Sequence, residues 1–244
     1  MNLLIDIGNT RIKLVEEVNG ALSTIQYFHY EQLKAIITAY KVKKIQQIVF
    51  ASVGNDSVVQ LLFTLANKLA IKVKQVRTEK NKFGVYSAYP DPIRLGVDRW
   101  LALLGAAAYY PHKSCLIIDT GTATTIDLLS SNKQHLGGWI VAGLGLMEKA
   151  LFTQTAKIEH TDINQQRSLS FANNTTDNVK HGALAATLGA VYLAISQAKE
   201  QLEGLDEILL LGGNADLIAS NLSISVTLDN KLIFKGLQQY IDKS

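Results

Sequence analysis

Two aspartates 113 residues apart, Asp6 and Asp119, each end an apolar run and each stand two residues before a glycine. The segments are Ile5-Asp6-Ile7-Gly8-Asn9 and Ile118-Asp119-Thr120-Gly121-Thr122. A glycine between two strands permits left-handed backbone and close approach to a ligand. Successive N–H groups in such a turn form an anion-binding concavity. Asn9, Thr10 and Thr122 add short donors, and Lys13 adds charge. Acids at strand ends can hold a cation or a water. One such turn alone reads as an ordinary turn. Two at matching places in a duplicated chain read as a phosphate clamp. The chain contains no Gly-x-x-x-x-Gly-Lys-(Ser/Thr) motif, so a P-loop is not available.

One further residue leaves two readings open. Asp98 precedes Arg99-Trp100-Leu101, so it fits either a helix cap or a general base. Taken by itself, Arg99 fits a surface ion pair. Tyr89 lies in a proline-bounded loop and fits a packing aromatic. Thr175 suits an N-cap, and Asp127 reads as structural. The histidines (His29, His112, His135, His160, His181) lack ligand spacing, so no metal is assigned to them. Cys115, the single cysteine, sits in an apolar strand and reads as inert core.

These residues need a framework. Leu3-Leu4-Ile5 is an apolar run, Arg11 to Val15 alternates, and Leu22 to His29 is a further strand candidate. Glu31 to Tyr40 has helical spacing, Ile48 to Ala51 reads as a buried strand, and Val73 to Val76 as another. Ser57 to Leu69 reads as a helix capped by Ser57. Pro90 and Pro92 interrupt the chain before a helix over Arg99 to Tyr109, and Pro111 marks a junction. The second half repeats the opening: Leu116 to Ile118, Thr124 to Leu128, His135 to Ile140, then Ile208 to Leu211 and Ser223 to Leu228. The helix from Asp177 to Leu202 is apolar nearly all round, which predicts a central place. Each half therefore reads as strands followed by alternating helices and strands, giving mixed sheets with helical crossovers.

Composition narrows the field. With 244 residues, 48% hydrophobic and 18% charged, the chain is long enough to bury a core without staples. One cysteine excludes an intrachain disulfide and fits a reducing compartment. Asp6 breaks any signal-peptide core. The uncharged stretch 183–198 falls short of the ~18 residues of a membrane span. The net charge of +3 is uneven: residues 41–82 alone carry +7, including Lys43 and Lys44. Without interleaved aromatics or a known motif, that segment reads as a solvated face rather than a nucleic-acid surface.

Four segments carry a family resemblance: Asp6-Ile7-Gly8-Asn9-Thr10-Arg11-Ile12-Lys13, Gly96-Val97-Asp98-Arg99-Trp100, Asp119 to Asp127, and Gly137-Gly138-Trp139-Ile140-x-x-Gly143. Together they resemble the acetate-kinase, sugar-kinase and actin superfamily, and specifically type III pantothenate kinase. Ala142, Asn178 and Val179 depart from the family pattern without removing a reactive group. The resemblance implies an α/β fold of two similar actin-like, ribonuclease H-like domains, 1–112 and 113–244. It implies ATP-dependent phosphorylation of pantothenate to 4'-phosphopantothenate, the first step of coenzyme A synthesis. Asp98 would be the general base. Asp6 through Lys13 (Asp6, Ile7, Gly8, Asn9, Thr10, Arg11, Ile12, Lys13) and Thr122 would bind ATP. Tyr89, Gly96, Val97, Asp98, Arg99 and Thr175 would bind pantothenate. Asp6 would hold Mg²⁺ through water, and Asp119 would hold K⁺ or NH₄⁺. Gly212-Gly213 resembles the superfamily's adenosine-side turn. A cytoplasmic homodimer with no nucleic-acid or membrane partner is expected. The rival readings are a kinase acting on a sugar or small acid, and a non-enzymatic binding protein that uses the basic segment.

Overall fold

The computed structural model describes residues 1–41, 45–154, 167–202 and 204–242. Lys43, Lys44 and His160 lie outside the described residues. In chain order the first elements are β1 (Asn2–Ile7), β2 (Ile12–Val18), β3 (Ala21–Leu22), β4 (Gln26–Phe28), α1 (Leu33–Lys41), β5 (Gln47–Ser52), α2 (Asp56–Lys68), β6 (Lys72–Gln75), β7 (Asn81–Lys82), β8 (Val85–Tyr86) and α3 (Val97–Tyr109). Then come β9 (Cys115–Thr120), β10 (Ala123–Leu129), β11 (His135–Ala142), α4 (Leu144–Gln154), α5 (Thr175–Gln201), β12 (Glu207–Leu211), α6 (Ala215–Ser220), β13 (Thr227–Leu228) and α7 (Leu232–Gln238).

The chain forms two compact units, one of Met1–His112, Lys133–His135 and Lys231–Ser244, the other of Lys113–Asn132 and Leu136–Asn230. In the first, the sheet order is β3-β2-β1-β5-β6, with β4 also on β2. β1 is antiparallel to β2 and parallel to β5. In the second, the order is β11-β10-β9-β12-β13, with β9 antiparallel to β10 and parallel to β12. Each unit thus repeats a hairpin beside a parallel crossover, the mixed α/β arrangement that the halves of the sequence predict.

Side-chain alternation in β1 decides what Asp6 faces. Leu3, Ile5 and Ile7 join the core under α1 and α2. Period two then turns Leu4 and Asp6 to the opposite face. On that side α7 packs on β1 and β5, and α3 packs on β5 and α7. The second unit's core lies between its sheet and α5, with Leu184, Leu188, Val191 and Ile195 against Leu116, Ile118, Ile126 and Leu210. By length and composition α5 passes as a membrane span, but this apolar stripe is packed into a core.

Several expectations are corrected. Residues 113–244 do not form one unit, because 231–242 packs with the first. A Cβ on Gly105 would lie 3.1 Å from the Leu232 carbonyl carbon, and one on Gly236 would lie 2.8 Å from that of Leu101. Two glycines therefore let the α3 and α7 backbones touch. Tyr240 and Asp242 extend this packing: the Tyr240 hydroxyl accepts from Trp100 Nε1 at 3.3 Å, and Asp242 pairs with Lys72 and Lys74 at 2.5 and 3.1 Å. The Leu22–His29 strand is two short strands, both paired with β2. Only Thr227–Leu228 of the Ser223–Leu228 strand pairs. The α2 cap is Asn55, whose side chain accepts from Val58 N–H, not Ser57.

Candidate active site

In the first unit the loop after β1 is a tight turn, with Gly8 N–H donating to Arg11 O at 3.2 Å. Tyr30, which the sequence reading did not single out, braces the turn by donating its hydroxyl to Gly8 O. Asn9, Thr10 and Arg11 are exposed, and the Arg11 guanidinium lies 4.3 Å from the centre of the Tyr27 ring. Ile7 and Ile12 are fully buried, so only their backbone can meet a ligand. Asp6 is 4% exposed and pairs with Lys13 Nζ at 3.1 Å across the β1–β2 register.

Asp98 belongs to the start of α3. The N-cap position is Gly96, which makes no side-chain cap. Asp98 Oδ1 accepts from Arg99 N–H at 2.8 Å, so from the second helical position it satisfies a first-turn N–H as a cap would, and its other oxygen is left for further contacts. A Cβ on Gly96 would lie 2.6 Å from Asp98 Oδ1, so a side chain there would push the carboxylate out of its present place. Burial pushes the Asp98 carboxyl above the usual carboxylate range, and the negative charge of Asp6 adds to the rise; the Arg99 N–H works against it. A partly buried acid with a like charge nearby is the arrangement that raises a carboxyl pKa.

Arg99 is 5% exposed, and its Nη1 donates to the Tyr89 hydroxyl at 3.0 Å. Asp6, Asp98, Arg99 and Tyr89 thus form one linked group within the first unit. Val97 is buried, so only its backbone could meet a ligand.

The second unit carries the other turn. Gly121 N–H donates to Ala123 O at 3.0 Å, and Thr122 is exposed. Asp119 is partly buried at the end of β9. Gly212, at φ +99°, lies against it: a Cβ there would sit 2.7 Å from Thr120 N and closer still to Asp119 Oδ1. Asn214 ties this turn to the hairpin, its backbone N–H and Nδ2 donating to Thr120 O at 3.1 and 3.2 Å. Gly212 N–H donates to Asn230 Oδ1 at 3.0 Å. Thr175 is exposed in the first turn of α5, while the cap is Asn174, accepting from Asp177 N–H at 2.9 Å. Asp127 is buried, in keeping with a structural role. Burial pushes the Cys115 thiol up to about 12, which fits an inert thiol.

Among the described residues no three His, Cys, Asp or Glu side chains gather as a metal cage. Magnesium shared with nucleotide phosphates keeps several waters and needs only one or two carboxylates. Asp6, buried and within electrostatic reach of Asp98, fits that requirement. The oxygen of Asp119 is a hard donor suited to an alkali cation.

The chain matches the family model for type III pantothenate kinase over residues 2–197. A type III pantothenate kinase of Colwellia psychrerythraea is 39% identical, covering 98% of this chain and 100% of the relative. That of Pseudoalteromonas translucida is 34% identical, covering 99% and 97%. Among solved structures, one from Campylobacter jejuni, described as a conserved Baf family transcriptional activator, aligns with TM-score 0.62 at 23% identity over 97% of this chain and 96% of its own. An activator of 2-hydroxyisocaproyl-CoA dehydratase from Clostridium difficile aligns with TM-score 0.52 at 12% identity, over 98% and 93%. At these identities the structures speak for the fold alone. The sequence relatives and the matched motifs together settle the family: this chain belongs to the type III pantothenate kinases.

Proposed function

We propose that the chain transfers the γ-phosphoryl group of ATP to the primary hydroxyl of pantothenate, giving 4'-phosphopantothenate and ADP at the entry to coenzyme A synthesis. The observation that carries the mechanism is Asp98, partly buried, held above its ordinary pKa and adjacent to the Arg99–Tyr89 pair. Phosphoryl transfer asks the protein for positioning and charge stabilisation. Asp98 accepts the proton of the attacking hydroxyl as the new P–O bond forms and the bond to ADP breaks. Arg99 is a buried guanidinium suited to an acceptor that bears a carboxylate, and Tyr89, Gly96, Val97 and Thr175 complete the acceptor contacts. The Asp6–Lys13 turn and Thr122 hold the phosphates through backbone N–H groups, short side chains and the Lys13 charge. Asp6 would hold magnesium through water, and the ion would neutralise charge on the phosphate oxygens. Asp119 would hold potassium or ammonium.

The protein acts as a cytoplasmic homodimer, without nucleic-acid or membrane partners. Support for the dimer is the second face of α5, where Ala185, Ala186, Gly189 and Leu193 are exposed. The basic segment has internal uses: Lys72 and Lys74 meet Asp242, and Lys82 meets Glu79. The test is radiolabelled ATP against a panel of pantothenate, hexoses and short hydroxy acids. Label transfer to pantothenate alone is expected; transfer to a sugar or acid instead overturns the assignment.

A further inference from the structure

The Tyr89 loop is held by two residues that the proposed chemistry does not use. Pro90 and Pro92 deprive this stretch of two backbone donors, and a lysine supplies donors from outside it. Lys80 Nζ donates to Ser87 O at 3.0 Å and to Tyr89 O at 2.9 Å. Ser87 N–H returns a bond to Lys80 O at 2.9 Å, and Tyr89 N–H donates to Ser87 Oγ at 3.2 Å. On the ring side stands His135, 3% exposed. Its plane lies 7° from that of Tyr89, with centroids 6.1 Å apart, within the range of offset stacking. His135 Nδ1 accepts from Ala88 N–H at 3.4 Å. The far end of Tyr89 accepts from Arg99 Nη1 at 3.0 Å. The loop is therefore fixed at its carbonyls, at its ring face and at its hydroxyl.

We infer that His135 and Lys80 are positioning residues for the acceptor subsite: they set the Tyr89 ring and, through its hydroxyl, the Arg99 guanidinium. The inference rests on the reading of Tyr89 and Arg99 as acceptor contacts. A purely structural role would lower the melting temperature or the active fraction and leave KM alone. A positioning role moves KM for pantothenate and spares KM for ATP.

The experiment is steady-state kinetics on the full-length protein, varying each substrate, for His135→Ala, His135→Phe, Lys80→Met and Tyr89→Phe. His135→Ala and Lys80→Met are expected to raise the pantothenate KM about three- to tenfold, the scale of one aromatic or hydrogen-bond contact. Both should leave kcat and the ATP KM within about twofold. His135→Phe keeps the ring face and should recover most of the loss. Lys80 is exposed, so Lys80→Met keeps the test decisive should His135→Ala fold poorly. An unchanged pantothenate KM in both His135→Ala and Lys80→Met, with Tyr89→Phe raising it, overturns the positioning role and leaves the acceptor reading standing. An unchanged KM in Tyr89→Phe removes the acceptor reading and the inference with it.

Discussion

Replacing Gly143 by alanine should damage nucleotide use far more than a single methyl group suggests. Gly143 N–H donates to Thr122 O at 3.1 Å, and its carbonyl accepts from Leu146 and Met147 N–H at 3.0 Å each, opening α4. A Cβ at this position would lie 2.8 Å from the Thr122 carbonyl carbon and closer still to the Gly121 and Thr122 oxygens, below the 3.0 Å floor of real Cβ contacts. Every obstructing atom is backbone, so relief requires the second turn or α4 to shift. Overpacking of this kind costs about 1–3 kcal/mol. At about 2–4 °C per kcal/mol for a chain of this size, the melting temperature should fall by roughly 2–12 °C. A displacement near 1 Å in a substrate-positioning turn costs up to about 10²-fold in rate, so kcat/KM for ATP should drop about 10- to 100-fold. The control is Gly145→Ala, two residues along the same segment, where a Cβ meets nothing within 4 Å. That variant should be neutral or gain about 0.4–1 kcal/mol. Differential scanning fluorimetry and ATP-dependence kinetics on both variants decide the matter. If Gly143→Ala behaves like Gly145→Ala, the close approach of α4 to the turn is not what the site depends on.

Three further outcomes are expected. Asp98 is held above the ordinary carboxylate value of 3.8, so the folded state keeps its proton longer than the unfolded chain. Its contribution to stability should therefore fall as pH rises from 3.8 through the raised value, while kcat/KM for pantothenate climbs through that same value. Urea unfolding and pH–rate profiles of wild type and Asp98→Asn measure both; a rate that does not respond to pH there contradicts the assignment. Tyr240→Phe strips the partner from the fully buried Trp100 indole and breaks the bond to Glu79 at 2.8 Å, which should cost about 1–3 kcal/mol in chemical denaturation. Asp119→Asn should lose most of the acceleration that potassium gives over sodium, and equal rates in both salts for the wild type would remove the cation from Asp119.

Much of the site is legible in the chain because strand periodicity and the turn motif agree. Leu3, Ile5 and Ile7 claim one face of β1, which leaves Asp6 to the face that α3 and α7 cover. The acid and glycine spacing then marks the turn, and the same signal repeats at Asp119. Asp98 and Tyr89 are different, since either fits a bland role by residue type, and only the family motif favours chemistry. The packing of α7 on α3 has no local signal. It depends on Gly105 and Gly236, far apart in sequence, meeting each other's helix backbone. The β7–β8 hairpin is equally silent, because its turn places Phe83 at φ +51° before Gly84 at φ +82°, a conformation an aromatic residue seldom adopts. Phe83 is held there edge-on to Tyr240, with centroids 5.1 Å apart. At helix starts, Asn55 and Asn174 take the cap positions that neighbouring Ser57 and Thr175 suit almost as well.

The most direct test of phosphoryl transfer with Asp98 as base is turnover of ATP and pantothenate by Asp98→Asn beside the wild type, with ATP binding and melting temperature measured on the same preparations. Asparagine keeps the size and accepts the Arg99 N–H through its carbonyl oxygen, yet it cannot take the hydroxyl proton. The rate should fall about 10²–10⁴-fold while ATP binding and the melting temperature hold. An Asp98→Asn enzyme within about threefold of wild-type turnover, far short of the general-base range, would contradict the account.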